Sequence, residues 1–368
     1  MTERPPARLV LTTRGDALTG PLSVALGARH PVVAELDVDL TTAQRLLVAG
    51  ATVRPSRRAW AERYFKSGLA VALRTRNAGA RLRDVDEPYD LVFQVHALFE
   101  VPAAPYVMYV DCTHRQSAEQ WPEWNPLRGR ALRRWYARER RQYAAARHIF
   151  TLATETRDDL VDAYGVAPEK VSVVGAGVNF ASLPAPRPAR PLGSPTVLFI
   201  GNDFIRKGGE VLLQAFALVR RAVPDARLQI VGTRHPVGQQ AGVEVLGRIE
   251  DRARIAELYR TATVFCLPTF FDPYALVLLE AMAFGLPVVA TPSCGIPEVV
   301  VDGETGVLVA AGDHERLAAV LVRLLEDHDE AARMGSAGRR RVELEMLWSH
   351  VVERMGPVLD DLAAGAGG

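Results

Sequence analysis

A repeated alternation of short segments rich in Val, Ile and Leu with longer segments of helical periodicity constrains the fold most. This pattern is typical of βα units built around parallel sheets. It runs through residues 1–178 and again through residues 196–346, and the proline-rich segment 179–195 separates the two series. Proline lacks an amide donor and fixes φ, so this segment cannot continue a core strand or helix. We therefore predict an α/β protein of two parallel-sheet domains, joined by a linker that makes few packed contacts.

The predicted elements follow from the same alternation. In the first domain we expect strands at Arg8–Thr13, Val32–Glu35, Leu91–Val95, Tyr106–Val110, His148–Leu152 and Val171–Val174, and helices at Leu127–Ala146 and Glu155–Tyr164. In the second we expect strands at Thr196–Ile200, Arg227–Val231, Val243–Leu246, Thr263–Leu267 and Pro287–Ala290, and helices at Gly209–Arg221, Arg252–Arg260 and Pro273–Phe284. Further helical pattern runs from Asp313 to about Leu362.

Composition excludes several classes of protein. The chain has 368 residues with 44 basic and 43 acidic side chains, so its net charge of +1 gives no reason to expect a nucleic-acid partner. Its three cysteines lie far apart, which excludes a disulfide framework and fits a reducing compartment. The first residues lack an apolar signal core, and Glu280, Gly285 and Pro287 interrupt the longest apolar run. We expect a cytoplasmic protein without a membrane-spanning helix.

Charge is distributed unevenly between the two halves. Residues 1–178 hold 25 basic and 20 acidic side chains. Nearly all charged side chains in the segments Arg54–Arg83 and Arg128–Arg147 are basic. Two interpretations stay open: the basic segments are solvated helix faces, or they attract an anionic acceptor or the inner face of a membrane, where the protein would lie peripherally. Only three basic residues are lysines, Lys66, Lys170 and Lys207, so each lysine is an unusual choice that points to a specific use.

The first candidate site lies where a predicted strand meets a helix. The strand ends at Gly201, and the helix opens at Gly208 and Gly209 after a short loop that carries Arg206 and Lys207. Glycines let backbone amides approach a ligand, a helix N-terminus favours anions, and the two cations lie at the same end. The pattern predicts a diphosphate site, although it matches neither G-x-x-x-x-G-K-[ST] nor G-x-G-x-x-G. An ordinary strand–loop–helix connection with exposed basic residues is the alternative.

The second candidate site is the segment Phe270–Ala290. Asp272 followed by Pro273 is typical of a helix start, which gives Asp272 a structural explanation. Glu280 falls on a helix that is apolar nearly all round, where a buried carboxylate without donors would be costly. Its donors would be the hydroxyls of a ligand or the cation of an internal ion pair.

These residues resemble a known family, the retaining glycosyltransferases of the GT-B type in family 4 (the "glycosyl transferases group 1" set). That family has two glutamates in a segment like E-G-F-G-x-x-x-x-E-A-M-A-x-G-x-P-V-V-A. This chain has Asp272-Pro-Tyr-Ala-Leu-Val-Leu-Leu-Glu280-Ala-Met-Ala-Phe-Gly285-Leu-Pro-Val-Val-Ala290, then Gly295-Ile-Pro-Glu298 and Asp302-Gly-Glu-Thr-Gly306. The motif match covers the second half, and the first half agrees in layout.

The resemblance implies two Rossmann-like domains that face each other across a cleft, the first binding an acceptor and the second a nucleotide diphosphate sugar. It implies a retaining hexosyltransferase that moves the sugar to an acceptor hydroxyl with no metal or other cofactor. The acceptor is left open as a small molecule, a glycan or a lipid-linked molecule. The resemblance also implies that a terminal helix over about residues 347–362 crosses back to the first domain. We expect Pro357 to kink that helix or to end its first half after Gly356.

The resemblance also assigns roles to single residues. Glu280 would bind the ribose, and Asp272 the donor sugar. Arg206 and Lys207 would neutralise the leaving diphosphate, and the loop Gly247–Ile249 would lie against the base. The implied nucleotide-sugar site comprises Gly201, Arg206, Lys207, Arg248, Ile249, Asp272, Tyr274, Ala275, Leu276, Val277 and Glu280, with Tyr274–Val277 acting through their amides. The implied catalytic residues are Arg206, Lys207, Asp111 and Asp272.

The acceptor side matches the family less closely. Asp111 stands at the position of the family's catalytic histidine, with His114 three residues on and His96 after the preceding strand. Whether Asp111 or His114 takes the place of that histidine stays open, and purely structural use of His96 and His114 is the alternative. Gly15 stands where the family carries a glycine-rich loop.

The departures from the family pattern leave other functions open. The first glutamate is shortened to Asp272, and the usual glycine pair beside it is Pro273 and Ala275. A catalytically silent sugar-nucleotide-binding subunit and a GT-B sugar-nucleotide epimerase are therefore the alternatives. The sequences Asp37-Val-Asp39 and Asp84-Val-Asp86 are interpreted as surface or turn residues, so no metal site is expected.

Overall fold

The computed structural model describes residues 5–14, 19–102, 104–180, 182–187 and 193–366. The chain divides into two compact units: the described residues of Met1–Gly175 with Trp348–Gly368, and those of Ala176–Leu347. Each unit contains a parallel sheet of six strands, so the predicted α/β class is confirmed. Gly15 and residues 188–192 of the proline-rich segment lie outside the described residues.

The strands are β1 (Leu9–Thr13), β2 (Val32–Asp37), β3 (Leu91–Val95), β4 (Tyr106–Val110), β5 (His148–Thr151), β6 (Val171–Val173), β7 (Thr196–Ile200), β8 (Arg227–Val231), β9 (Val243–Gly247), β10 (Val264–Leu267), β11 (Val288–Ala290) and β12 (Gly306–Leu308). The helices are α1 (Thr19–Arg29), α2 (Thr42–Thr52), α3 (Arg57–Lys66), α4 (Gly68–Arg83), α5 (His114–Gln120), α6 (Gly129–Ala145), α7 (Thr154–Asp162), α8 (Gly209–Ala222), α9 (Arg252–Thr261), α10 (Leu276–Ala283), α11 (Ile296–Val299), α12 (His314–Glu326), α13 (His328–Glu345) and α14 (Trp348–Ala366).

The first sheet has the order β2-β1-β3-β4-β5-β6. All five residues of β1, β3 and β4 are buried, as expected for parallel strands covered by helices on both faces. The chain reverses its direction of strand addition between β1 and β3. Strands β3 and β4 are parallel neighbours, so the loops that follow them leave the sheet side by side at its carboxyl edge, where α/β proteins bind ligands.

The second sheet has the order β12-β11-β10-β7-β8-β9. Strands β7 and β10 are neighbours although they are distant in sequence, so the order of strand addition reverses between them. Such a topological switch point opens a crevice at the carboxyl ends of the two strands. Residues 201–208 leave β7 there, and residues 268–275 leave β10 there, which brings the two motif segments together.

Two predictions for the second unit are wrong in detail. Helix α10 begins at Leu276 and not at Pro273, because Asp272, Pro273 and Tyr274 form a tight turn before the helix. Strand β12 was not predicted. Its Gly306 lies so close to Val288 that an added Cβ would stand 2.6 Å from the Val288 carbonyl oxygen, and a three-residue strand beginning with glycine carries little β signal.

Of the two alternatives for Pro357, an end of the helix after Gly356 is wrong, whereas a kink at Pro357 stays a prediction. Helix α14 runs unbroken from Trp348 to Ala366. Its residues Val351, Met355 and Leu359 are fully buried in the first unit. Burial of this apolar stripe outweighs the single backbone hydrogen bond that proline removes.

The proline-rich segment makes more packed contacts than expected. In its described part, Arg187 is buried and its backbone amide donates to the Phe284 carbonyl oxygen at 2.8 Å. The Arg187 guanidinium donates to the carbonyl oxygens of Gly285 (3.1 Å) and Ala262 (3.1 Å). A buried cation with these partners fixes this part of the segment onto the second unit.

Candidate functional site

The loop after β7 is held against the loop after β10 by a glycine. Gly208 caps α8 with a φ of +76°, a conformation that costs other L residues energy. A Cβ at this position would lie 1.8 Å from the carbonyl oxygen of Pro268. Only glycine therefore permits the close approach that brings Arg206 and Lys207 to the residues after β10.

Arg206 and Lys207 are not the exposed residues expected of an ordinary helix start. Arg206 is 5% exposed, and its Nη1 donates to the Phe271 carbonyl oxygen at 2.5 Å. The Lys207 side chain is 12% exposed, and its ammonium forms an ion pair with the Asp272 carboxylate. Arg206 Nη1 lies 3.9 Å from the same carboxylate. Arg206 Nε also lies 3.4 Å from Asp203 Oδ2, so the structure groups the two cations with two carboxylates at the switch point.

Asp272 serves both the backbone and these cations. Its Oδ1 accepts from the amide of Ala275 at 2.8 Å, and its Oδ2 faces Lys207. Burial by itself raises the pKa of Asp272, but the charges of Lys207 and Arg206 outweigh burial, so the pKa lies below its usual value. Asp272 is therefore a carboxylate near neutral pH, and it orients Lys207.

The four residues Tyr274–Val277 span the start of α10. The amides of Tyr274 and Ala275 are directed at Asp272 Oδ1, and Ala275 has a φ of +50°. This left-handed conformation is one in which alanine is rare and the family's glycine is common. Leu276 and Val277 form the first turn of α10, whose amides have no partner within the helix. They remain candidates for contact with an anion.

Glu280 is buried on α10 and has two protein partners. The Tyr259 hydroxyl donates to Glu280 Oε2 at 3.0 Å, and Arg252 Nη2 lies 3.4 Å from Oε1. Burial raises the pKa of Glu280, and Arg252 and Tyr259 oppose that rise only in part. The internal ion pair expected as the alternative is present. The Arg252 side chain is 58% exposed, and its Nη2 also donates to the Asn179 carbonyl oxygen at 3.0 Å.

The loop predicted to contact the base follows β9. The carbonyl oxygen of Gly247 accepts from the amide of Gly232 at 2.7 Å, which ties this loop to the one after β8. Arg248 pairs with Glu250 at 3.2 Å, and its side chain is largely exposed. Ile249 is half-buried. The roles of Arg248 and Ile249 stay predictions.

The first unit joins His96 and Asp111. His96 Nδ1 lies 3.2 Å from Asp111 Oδ1, and the same oxygen accepts from the amide of Cys112 at 2.8 Å. Burial raises the pKa of Asp111, but the neighbouring His96 outweighs that effect and the net direction is downward. One third of the Asp111 side chain is exposed. An ionised carboxylate is thus presented at the carboxyl edge of the first sheet.

His114 lies beside this pair but is buried. Its Nε2 lies 3.1 Å from Asn125 Oδ1, and its ring packs on Trp135 and Tyr136 with centroids 5.1 Å and 5.7 Å away. Burial, assisted by the charge of Lys66, lowers the pKa of His114 to about 3. His114 is therefore neutral in the folded protein at physiological pH.

A cavity of about 260 Å³ contains these residues and one that sequence reasoning missed. It is lined among others by Arg14, Lys66, His96, Asp111, His114 and Glu139. The Lys66 side chain is 14% exposed and its ammonium donates to the Trp124 carbonyl oxygen. The scarcity of lysine marked Lys66, but no spacing connected it with Asp111, since α3 reaches the site only through the tertiary fold.

The D-x-D sequences fall in two environments. Asp84 and Asp86 lie at the surface, as predicted. Asp39 is not simply a surface residue, because it accepts from the fully buried Arg74 at 2.9 Å. In the part of the chain that the structure describes, no three His, Cys, Asp or Glu side chains are grouped as metal ligands. No helix of the described residues is long and apolar enough to cross a membrane.

Comparison with known proteins matches both units. The family "Glycosyltransferase Family 4" matches residues 27–182, and "Glycosyl transferases group 1" matches residues 185–341. The chain is 34% identical to the MMP alpha-(1->4)-mannosyltransferase of Mycolicibacterium hassiacum over 60% of this chain and 56% of that protein. It is 33% identical to the D-inositol 3-phosphate glycosyltransferase of Corynebacterium diphtheriae over 57% and 55%, respectively. The match thus spans little more than half the length of these curated relatives.

Solved structures show the same fold along almost the whole chain. Sucrose-phosphate synthase from Thermosynechococcus elongatus superposes with a TM-score of 0.70 at 19% identity, covering 98% of this chain and 100% of that one. WaaG, a glycosyltransferase involved in lipopolysaccharide biosynthesis, gives 0.66 at 17% identity, covering 96% and 99%.

Two parallel six-stranded sheets, with a basic pair at the switch point of the second, define a protein of the GT-B class. The two family matches extend this to a particular family: the chain belongs to the group 1 glycosyltransferases of family 4.

Proposed function

We propose that this protein is a retaining hexosyltransferase that moves a sugar from a nucleotide diphosphate sugar to an acceptor hydroxyl. The observation that carries the proposal is the convergence of Arg206, Lys207 and Asp272 at the switch point of the second sheet. Two cations beside a helix N-terminus are suited to a diphosphate leaving group. The mannosyltransferase and inositol-phosphate glycosyltransferase relatives support sugar transfer as the reaction class.

In the donor site, Asp272 holds Lys207 in place before the donor binds. The diphosphate would accept hydrogen bonds from Lys207 and Arg206 and from the first-turn amides of α10 at Leu276 and Val277. Negative charge grows on the diphosphate as the glycosidic bond breaks, so cations fixed beforehand lower the barrier. This supply of positive charge is the reason for expecting transfer without a metal.

Glu280 would bind the two ribose hydroxyls with its carboxylate oxygens. The ribose hydroxyls would take the place of the Tyr259 hydroxyl and the Arg252 guanidinium, which donate to Glu280 in the structure. Because the carboxylate is buried, a ligand hydroxyl that donates to it is shielded from competing water. Arg248 and Ile249, after β9, are proposed to contact the base.

Asp111 would contact the acceptor hydroxyl. Its pKa lies below the usual value, so it is a weak base and is better suited to orienting the hydroxyl than to removing its proton. We assign the proton to an oxygen of the departing diphosphate, which becomes more basic as the bond breaks. His96 fixes the Asp111 carboxylate at 3.2 Å and acts as a positioning residue.

Turnover with candidate donors tests the proposal. The purified protein is first screened by thermal shift with UDP, GDP, ADP and dTDP, because a ligand that binds the native state raises its apparent stability. It is then incubated with the matching nucleotide sugars and a panel of hydroxyl acceptors, with and without EDTA, and release of the nucleoside diphosphate is measured. NMR of the product reports whether the anomeric configuration is retained.

Each result bears on a stated alternative. Release of the nucleoside diphosphate in EDTA, with retained configuration in the product, supports the proposal. Tight binding of a nucleotide sugar without any release would indicate a silent binding subunit. Conversion of the donor into an epimer would indicate an epimerase. An inverted product would contradict the retaining mechanism. A peripheral membrane contact through the basic helices of the first unit remains a separate prediction.

A further inference from the structure

Two donors from α9 occupy the Glu280 carboxylate in the structure. The Tyr259 hydroxyl donates to Oε2 at 3.0 Å, and Arg252 Nη2 lies 3.4 Å from Oε1. Tyr259 is fully buried and stacks on Phe284 with ring centroids 5.2 Å apart, whereas more than half of the Arg252 side chain is exposed. Tyr259 therefore belongs to the core, and Arg252 is a partner that reaches Glu280 from the surface of the unit.

Arg252 is held beside Glu280 by the two residues Asn179 and Phe180. Its Nη2 donates to the Asn179 carbonyl oxygen at 3.0 Å, a shorter distance than the one to Glu280. Its guanidinium carbon lies 5.2 Å from the centroid of the Phe180 ring, within the range of a cation–π contact. These two contacts do not involve Glu280. They can therefore keep the guanidinium within reach of Oε1 when a ligand hydroxyl takes that oxygen.

Burial makes the Glu280 carboxylate sensitive to the loss of a donor. Its side chain is 9% exposed, so little water can replace a donor that leaves. A site whose buried groups bond a substrate hydroxyl rejects an analogue without that hydroxyl by a large factor, because those groups are then unpaired. A protein donor that returns to the carboxylate removes much of this penalty. Arg252 is placed to be that donor, since it is charged and already lies at Oε1.

We propose that Arg252 determines how strongly the nucleotide site distinguishes ribose from deoxyribose. The inference rests on the proposed binding of ribose by Glu280. A ribonucleotide must displace Arg252 from Oε1, which weakens its binding. A nucleotide without the ribose hydroxyls leaves Arg252 on Oε1 and loses little affinity. Arg252 therefore lowers the preference for ribonucleotides, and it does so through Glu280.

Calorimetry with UDP, GDP and ADP, each compared with its 2′,3′-dideoxy counterpart, tests this inference. The titrations are made at pH 8, because burial raises the pKa of Glu280 and loss of Arg252 would raise it further. The unmodified protein should bind the ribonucleotide less than tenfold more tightly than the dideoxynucleotide. Arg252→Met should raise this ratio of affinities at least fivefold. Arg254→Met, on the same helix and paired with Glu257, is the control and should change the ratio less than twofold.

Two further variants separate the charge of Arg252 from its other contacts. Arg252→Lys keeps a cation at this position and should leave the ratio within threefold of that of the unmodified protein. In the Glu280→Gln background, adding Arg252→Met should change the ratio less than twofold, because Arg252 acts only through the carboxylate. If Arg252→Met does not fold, Arg252→Gln, which also removes the charge, takes its place.

An unchanged ratio in Arg252→Met would overturn the inference, as would a preference above tenfold in the unmodified protein. Equal losses of affinity for both nucleotides would also overturn it and would place Arg252 on the diphosphate. These outcomes leave the proposed donor site intact. A ratio that Arg252→Met still raises in the Glu280→Gln background would overturn the route through Glu280. Unchanged affinities of Glu280→Gln for both nucleotides would overturn the proposed ribose role itself, and absence of binding by all three nucleoside diphosphates would overturn the donor site. Either of these last two results would overturn the inference as well.

Discussion

His96 Nδ1 lies 3.2 Å from Asp111 Oδ1, and His96 reaches this position with a φ of +62°. Among the described residues, the non-glycine residues with positive φ are His96, Ala275 and Cys294. They follow strands β3, β10 and β11, at the carboxyl edges of the two sheets. Strained backbone of this kind persists where the surrounding structure requires it, and it is concentrated at functional sites.

Asp111→Asn should lower turnover at least tenfold with little loss of stability. The amide keeps the size of the side chain but removes the charge that we assign to the acceptor hydroxyl. Since one third of the Asp111 side chain is exposed, the fold does not depend on this charge. Initial rates and urea unfolding check the expectation, with the surface substitution Asp84→Asn as a control. Unchanged turnover would remove Asp111 from the mechanism.

Ala275→Gly should stabilise the second unit by about 1 kcal/mol, because glycine adopts a φ of +50° without the steric cost that alanine has there. Affinity for the nucleoside diphosphate should not fall. Ala281→Gly, within helix α10, is the matched control and should destabilise by roughly 1 kcal/mol. Both free energies of unfolding come from urea titrations. A destabilised Ala275→Gly protein would show that the alanine methyl packs productively.

Lys207→Met should slow transfer at least tenfold and also destabilise the protein, because it leaves the buried Asp272 without its nearest cation. An exposed lysine at an ordinary helix start could be replaced without loss of stability. Adding Asp272→Asn should recover part of the stability but none of the activity. Arg221→Met on the exposed face of α8 is the control. Full activity of the stabilised double variant would exclude Lys207 from the chemistry.

Glu280→Gln should weaken binding of the nucleoside diphosphate about tenfold, since a neutral amide accepts ribose hydrogen bonds less strongly than a carboxylate. The thermal stability of the ligand-free protein should change little, because the glutamine side chain still offers an acceptor to the Tyr259 hydroxyl. Titration calorimetry measures the affinity of the unmodified and variant proteins, and scanning calorimetry their stability. Equal affinities would assign Glu280 to the ion pair with Arg252 alone.

His114 should make the protein less stable in mild acid. Its pKa in the folded state is about 3, below the unfolded value near 6.5, so the unfolded chain binds the proton more readily. The stabilisation is complete above pH 6.5 and is lost as the pH falls toward 3. Between pH 6.5 and pH 5 the loss is about 2 kcal/mol. In urea titrations at pH 7, 6 and 5, His114→Gln should flatten this dependence. An unchanged slope in His114→Gln would contradict the assignment.

Local pattern was sufficient for the strands other than β12 and for the first candidate site. Strands β3, β4, β7 and β8 occupy the predicted residues, because a parallel strand appears in sequence as a mostly apolar run between turn signals, interrupted here by Gln94 in β3 and Gln229 in β8. The resemblance to the family motif joined Asp272 to Glu280, and one strand–loop–helix connection marked Arg206 and Lys207. Glycine and lysine carried that signal because few other residues could replace them there.

Contacts between distant segments were decided by the tertiary structure. No periodicity shows that Lys66 on α3 reaches the cavity of Asp111, or that Tyr259 and Arg252 on α9 hold Glu280. Pro357 and Asp272–Pro273 gave strong local signals, and the observed helix boundaries depart from both. A helix that buries an apolar stripe tolerates one missing hydrogen bond. Asp272 accepts from the amides of Tyr274 and Ala275 in a turn, so α10 begins only at Leu276. Sequence determined which segments are buried, and the strand order determined which side chains meet, because that order brings together residues far apart along the chain.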